Sequence, residues 1–304
     1  MVVLYGSRWS SKETSVNSPH FLYAFYGDAK GQGDLSGLPD GELRSPMAIT
    51  VAPDGRIFVA DTGNSQIWVF KSDGESVSRF GKGLLNHPLG LIYVANKVYV
   101  ADPNQHKVFV FDDRGQPLAP LADNLRPPNS AEVMRPSAIA LGPDKLFYLA
   151  DIANQKIIVL DSGGRFIRQF GGPGTGQGQF EYPNGLWVDG KGVVYVADSN
   201  NGRIEIFDNK GHFLSQISGV TATGSGGLRL PRGLAVTPSG QILVVDVFAN
   251  RVYAFDVSGH ELWHVGGAGT GNGQFNFPNG LSLDSDGRIY VTDRENNRVQ
   301  VLGY

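Results

Sequence analysis

Short apolar runs broken by Gly, Pro, Asp and Asn fill the chain, and residues 183 to 217 show the unit most clearly. Four runs lie there, at 183 to 189 (PNGLWVD), 193 to 198 (VVYVAD), 203 to 208 (RIEIFD) and 212 to 217 (HFLSQI), with Gly, Asp and Asn turns between them. Runs of that length bounded by turn residues read as β-strands, so the unit is predicted as four strands joined by tight turns. The unit recurs. A phrase of Pro, any residue, Gly or Ala, then Ile or Leu begins at Pro46, Pro88, Pro136, Pro183, Pro231 and Pro278, in steps of 42 to 48 residues. An apolar run ending in Asp follows each one, at Asp61, Asp102, Asp151, Asp198, Asp246 and Asp293. Five residues further on stand Gln66, Lys107, Lys156, Arg203, Arg251 and Arg298, each followed by Ile or Val. Four strands per period of about 45 residues is the sequence form of a propeller blade. The expected fold is therefore all-β, a six-bladed β-propeller of four-stranded antiparallel blades. Composition agrees, since 41 Gly and 17 Pro among 304 residues supply the tight turns that short strands need.

Alternation along each inner strand predicts how the blades meet. The small residue of the phrase (Ala48, Gly90, Ala138, Gly185, Gly233, Gly280) is expected where the neighbouring blade approaches closely. The residue after it (Ile49, Leu91, Ile139, Leu186, Leu234, Leu281) then faces the opposite inter-blade layer. The sixth unit reaches only its third strand by Tyr304, which leaves an edge open to pairing with other chains. Residues Phe21 to Gly27 (FLYAFYG) align with the outer-strand endings at 165 to 171 and 260 to 266, so the N-terminal strand is expected to close the last blade. The predicted organisation is a linker or anchor remnant over 1–19 and a single propeller over 20–304.

The two phrases together, as in SPMAITVAPDGRIFVADTGNSQIWVF (Ser45 to Phe70) and PNGLSLDSDGRIYVTDRENNRVQVL (Pro278 to Leu302), resemble the NHL repeat, and six such copies span residues 46 to 302. Blade two departs, with Asp102-Pro-Asn104-Gln and a shortened turn at Asn96 and Lys97, and blade five carries Ala249 where others have Asn. The resemblance implies a bacterial type of six-bladed NHL protein held outside the cytoplasmic membrane by an N-terminal anchor. Met1 to Tyr5 would be the remainder of that anchor and Ser7 to Ser18 a linker. The expected location is extracytoplasmic, with membrane contact only through the missing anchor.

Charge and cysteine content narrow the classes of function. Lysine plus arginine total 26 against 29 aspartate plus glutamate, and a net charge of −3 gives no field that would attract a polyanion. The absence of cysteine removes disulfides, thiolate metal sites and a cysteine nucleophile. No stretch approaches the roughly 18 apolar residues of a membrane helix. Some NHL domains bind RNA on a basic face. Here the connectors set Lys30, Arg44, Lys82, Arg126, Arg135 and Arg229 against Asp28, Asp34, Asp40, Glu42, Asp123, Glu132 and Glu181, so no nucleic-acid partner is expected.

The aspartate recurs in every blade and is expected to serve its turn, capping it and pairing with the cation five residues on. Function is then expected where the blades differ. That is the face carrying the turns between second and third strands and the connectors 27–45, 81–87, 122–135, 171–182, 218–230 and 266–277. The residues flanking each inner-strand Pro lie near the channel mouth, and seven of them are candidate binding residues: His87, Arg135, Tyr182, Asn184, Arg232, Phe277 and Asn279. They combine aromatics, arginines and amides around a concave mouth, the chemistry favoured at interface hot spots. No carboxylate stands at the equivalent positions, so the arginines imply an anionic group on a partner.

Propeller enzymes similar to this chain, the peptide-amidating lyase and the gluconolactonase-like hydrolases, ring the channel with His, Glu, Asp or Asn to hold a metal. Here His87 stands alone at the mouth positions, with His106, His212, His260 and His264 expected on third or outer strands, so no catalytic residue, metal or cofactor is expected. The Gly-rich runs at 171 to 178 and 266 to 273 precede a strand rather than a helix and are read as connectors, not phosphate loops. Trp187 stands where other blades carry Thr50, Ile92, Ala140, Ala235 and Ser282, and is expected to fill a gap between blades or narrow the channel. The expectation is a non-catalytic binding or scaffold module for a protein or peptide. The alternative is a propeller lyase or hydrolase acting on a small molecule or peptide at the mouth.

Overall fold

A computed structural model describes residues 18–27, 41–218 and 226–304. The expected linker over 1–19 lies outside the described residues except for Ser18 and Pro19, as do Asp28, Lys30, Asp34 and Asp40 of the first connector. The strands form six four-stranded antiparallel sheets. In blade four the strands are Pro183–Val188, Val194–Asp198, Arg203–Phe207 and Phe213–Ile217, from the axis outward. Each inner strand packs on the next, and Pro278–Leu283 packs on Pro46–Val51 to complete the ring.

Position in the sheet explains the residue pattern. Second strands such as Ile57–Asp61, Phe147–Asp151 and Ile289–Asp293 are buried at every residue, because neighbouring blades cover both faces, and so read as continuous apolar runs. Outer strands such as Ser76–Phe80 lie largely open and are correspondingly polar. The core is divided into six layers, one between each pair of adjacent blades. Phe58, Val69, Leu91 and Phe111 fill the layer between blades one and two, and Tyr148, Phe180 and Leu186 the layer between three and four. Each such side chain contributes about 1.5–3 kcal/mol by leaving water.

The inner-strand glycines sit where expected. A Cβ on Gly185 would fall 1.8 Å from the Arg232 carbonyl oxygen, and one on Gly280 would fall 2.6 Å from that of Met47, so only hydrogen allows the next blade to approach. The residue after each small one packs backward instead, as Ile49 does against Tyr290 and Val299 of blade six.

The N-terminal strand His20–Phe25 pairs antiparallel with Arg298–Gly303 and supplies the fourth strand of blade six. Phe25 is buried, with its ring 4.6 Å from that of Phe70, while Tyr23 donates its hydroxyl hydrogen to the Ser72 carbonyl. The closing strand therefore ties blade six to blade one as well as sealing the sheet.

Three local expectations need correction. The outer strand of blade two shrinks to Ala122–Asp123, inside the span read as a connector. The preceding segment carries Pro117 and Pro120, which cannot donate to a ladder, and meets the third strand at the isolated Phe111–Pro117 bridge. The shortened turn lies at Ala95 and Asn96, one residue earlier than expected, with φ of 47° and 61° as a two-residue hairpin of right-handed twist requires. Finally, His106 sits in a turn, and His212 and His260 precede the outer strands Phe213–Ile217 and Glu261–Gly266, while His264 is within a strand.

Candidate functional site

Strand register places the aspartates beneath the channel mouth. Pro183 pairs with Asp198 and Pro278 with Asp293 across the inner and second strands, so each carboxylate faces the connector arriving from the previous blade. Asp198 accepts from the Glu181 N–H at 2.6 Å, from Asn201 at 2.7 Å and from Arg203 Nε at 2.8 Å. Asp293 accepts from the Asn276 N–H, Asn296, Arg298 and Gln300, all within 2.9 Å. Burial pushes both carboxyls up, and these donors pull them back.

The pairing with the cation five residues on is a correction in part. Arg203 and Arg298 make it, and their guanidinium forks also reach two connector carbonyls each, at 2.8–2.9 Å. Gln66 takes the same role for Asp61 at 2.8 Å. In blade two Lys107 pairs with Asp123 at 2.9 Å instead. In blade five Asp246 is saturated by the backbone N–H groups of Arg229, Leu230, Phe248 and Ala249.

The seven candidate residues divide into three settings. Asn184, Arg232 and Asn279 converge on the channel, lining it with Met47, Leu89 and the inner-strand glycines. His87 and Arg135 stand half-buried on the rim across from them, near enough for the Arg135 charge to add to burial in holding the imidazole below its ordinary range. Tyr182 and Phe277 lie on the connectors with exposed rings. Their backbones, at φ of 58° and 51°, are pinned from the preceding blade, where Gln155 and Asn250 side-chain oxygens accept their N–H at 2.6 and 2.8 Å.

Polar satisfaction separates the channel residues further. Asn184 donates to the Tyr182 carbonyl at 3.2 Å and to Ser199 Oγ at 3.4 Å. Asn279 is only 8% exposed, yet its Nδ2 has no hydrogen-bond partner among the described residues. Arg232 Nε is likewise buried and unpartnered. Burial, then the neighbouring Arg294 charge, lowers the Arg232 guanidinium below its ordinary value.

Two residues of this sector escaped the sequence reading. Arg294 and Phe248 belong to the turns between second and third strands rather than to the inner-strand flanks. Arg294 lies over the Phe277 ring at 5.5 Å, holds Glu295 at 2.8 Å, and leaves its own Nε buried without a partner. Phe248 meets Phe277 edge-on at 6.1 Å and is 53% exposed. A signal was present: in the position after the anchor aspartate, Arg294 replaces Thr62, Pro103, Ile152, Ser199 and Val247 of the other blades. Trp187 does both things expected of it, packing against the layers on either side of blade five and lining the lower end of the channel.

Among the described residues no three His, Cys, Asp or Glu side chains cluster as metal ligands, and no helix is long and apolar enough to cross a membrane. Residues 43–70, 180–207 and 275–302, in blades one, four and six, match the NHL repeat family. A protein of unknown function from Bacteroides thetaiotaomicron is 16% identical over 92% of this chain and 74% of its own, with a TM-score of 0.69. A streptogramin B lyase is 15% identical over 92% and 97% of the two chains, with a TM-score of 0.64. Virginiamycin B lyase from Staphylococcus aureus is 16% identical over 86% and 96%, with a TM-score of 0.59. At these identities the likeness shows the fold alone. Three blades match the NHL repeat and the other three are built to the same register, so the chain is a six-bladed β-propeller that carries NHL repeats in blades one, four and six.

Proposed function

We propose that this propeller is a binding module that receives a protein or peptide on its connector face, at the channel mouth. The observation that carries the reading is Arg232, a guanidinium sunk into the mouth with a buried, unpartnered Nε. A half-buried charge without a counter-ion costs stability, and its retention is explained most simply by a partner that supplies the anion. Exposed Tyr182, Phe248 and Phe277 on the same face offer aromatic area at little entropic cost. The alternative, a lyase or hydrolase acting at the mouth, draws on the shared fold of the streptogramin-type lyases, and fold does not carry chemistry with it. Among the described residues the channel lining carries no histidine or carboxylate, and His87 stands on the rim with its backbone N–H on Asp102 and its imidazole held below the ordinary range by burial, which favours binding over that reading.

The test begins with a photo-crosslinking residue at Tyr182 or Phe277, compared with one at Ser285 in a turn on the opposite face. Capture of a partner only from the connector face is expected. Titrated against that partner, the Arg135→Ala/Arg232→Ala double variant should bind at least about tenfold more weakly while remaining folded. Normal binding by the double variant, with loss on changing the opposite face, would refute the assignment.

A further inference from the structure

The channel mouth is not uniform around its circumference. Its unsatisfied donors gather between blades five and six, where Arg232 Nε, Arg294 Nε and Asn279 Nδ2 are all buried and all without a partner among the described residues. The anchor carboxylates beneath are already spent, Asp246 on backbone N–H groups and Asp293 on Arg298, Asn296 and Gln300. Glu295 reaches Arg294 through a terminal nitrogen at 2.8 Å, and no carboxylate among the described residues pairs with Arg232. Arg294 is near enough for its charge to act on Arg232, and Asn279 lines the channel with Arg232, so two guanidinium groups and an amide donor share one sector that an oxyanion would relieve. Beside this polar cluster the exposed Phe248 and Phe277 rings meet edge-on, with the Arg294 guanidinium stacked on Phe277. Anion donors abut an apolar shelf.

We propose that this sector is a carboxylate site that takes the free C-terminus of a peptide, its carboxylate on Arg232, Arg294 and Asn279 and its last, apolar side chain on Phe248 and Phe277. The proposal rests on the docking reading above and narrows it to a chemical class. A carboxylate fits the planar fork of an arginine with two parallel hydrogen bonds, and the adjoining rings select an apolar group on the same molecule. Among the described residues, the buried unpartnered amide and the paired Phe248 and Phe277 rings have no counterpart beside His87 and Arg135, where Arg135 supplies the positive charge.

The smallest probes with both features are 3-phenylpropionate and its neutral isostere 3-phenylpropanamide, titrated calorimetrically into the whole chain with inorganic phosphate as a third ligand. The acid is expected to bind at least about tenfold more tightly than the amide or phosphate. Arg232→Gln should abolish the preference for the acid while melting at or above the wild-type temperature, since it removes an unpartnered buried charge. Asn279→Asp, which places a carboxylate beside Arg232, should exclude the acid and leave the amide unaffected, whereas Arg135→Gln should change neither. Equal binding of acid and amide, phosphate binding as tight as the acid, or no binding of either phenylpropionyl probe at millimolar concentration would each overturn the proposal. Equal binding that is lost on Phe277→Ala would overturn the carboxylate while leaving docking at this face intact. The docking reading itself stands or falls on the double variant described above.

Discussion

At the scale of single residues, Glu205 shows how a repeat can reveal a protonation state. It lies on the third strand of blade four, fully buried, and corresponds to Gln300 in blade six. Gln300 accepts the Gly273 N–H at 2.9 Å and donates its amide to the Gln274 carbonyl at 2.6 Å and to Asp293 at 2.9 Å. Glu205 accepts the Gly178 N–H in the same way at 3.0 Å, but its Oε2 is buried with no partner. Ionised, that oxygen would face acceptors; protonated, it becomes the donor that the position carries in blade six. Burial accordingly raises the Glu205 carboxyl to about 7, against the pull of Arg203, whose charge is already paired with Asp198. The unfolded chain releases this proton near pH 4.3, so between there and about pH 7 the folded chain holds more protons and stability falls as pH rises. The contribution, on the order of 3 kcal/mol, is complete below the unfolded value and lost once pH passes about 7. Glu205→Gln should therefore raise the melting temperature at pH 8 by ~5 °C and give no gain at pH 4. A variant equal to wild type at both pH values would show Glu205 to be ionised in the fold.

At the scale of the turn and its connector, the blades use two ways of satisfying one aspartate. Blades one, four and six, the three that match the family, each add a short 3-10 turn and an Asn three residues past the Asp that bridges it to the connector. Their fifth residue, Gln66, Arg203 or Arg298, completes the network from the side. Blade five, with Ala249 in place of that Asn, turns its backbone N–H groups to Asp246 instead. Removing the carboxylate therefore has unequal consequences. Asp198→Ala takes the nearest carboxylate from the buried Arg203, leaving it Glu205 at 3.4 Å and two connector carbonyls, and should cost roughly 3–5 kcal/mol, whereas Asp246→Ala frees only N–H donors and should cost about 1–3 kcal/mol. Denaturant unfolding of the two variants tests the order, and equal losses would mean that Arg203 finds compensation elsewhere.

At the scale of the whole molecule, stability depends on closing a ring whose last blade borrows a strand from the other end of the chain. Deleting residues 1–27 removes His20–Phe25, opens the Arg298–Gly303 edge and uncovers the Phe70 ring, so a lower melting temperature and concentration-dependent association are expected in light scattering. Unchanged stability and a monodisperse truncated protein would refute closure as a stabilising device. The repeat, the six blades, the inter-blade glycines and the closing strand were legible in the sequence because each follows from local alternation and a recurring register, which a linear chain displays directly. The two-residue outer strand of blade two was not, since prolines break the pattern by which an outer strand is recognised. The mouth was half legible. Its inner-strand residues share one aligned position per blade and could be read off together, including Arg232 and Asn279. Arg294 and Phe248 come from turns some 15 residues away from those positions in the chain, and only the folding of adjacent blades carries them to Phe277 and Arg232. Whether a cation in such a turn is solvated, paired or left facing another depends on which side chains the neighbouring blade presents. That is a property of tertiary packing, decided when the ring closes and water is excluded, and no spacing in the sequence encodes it.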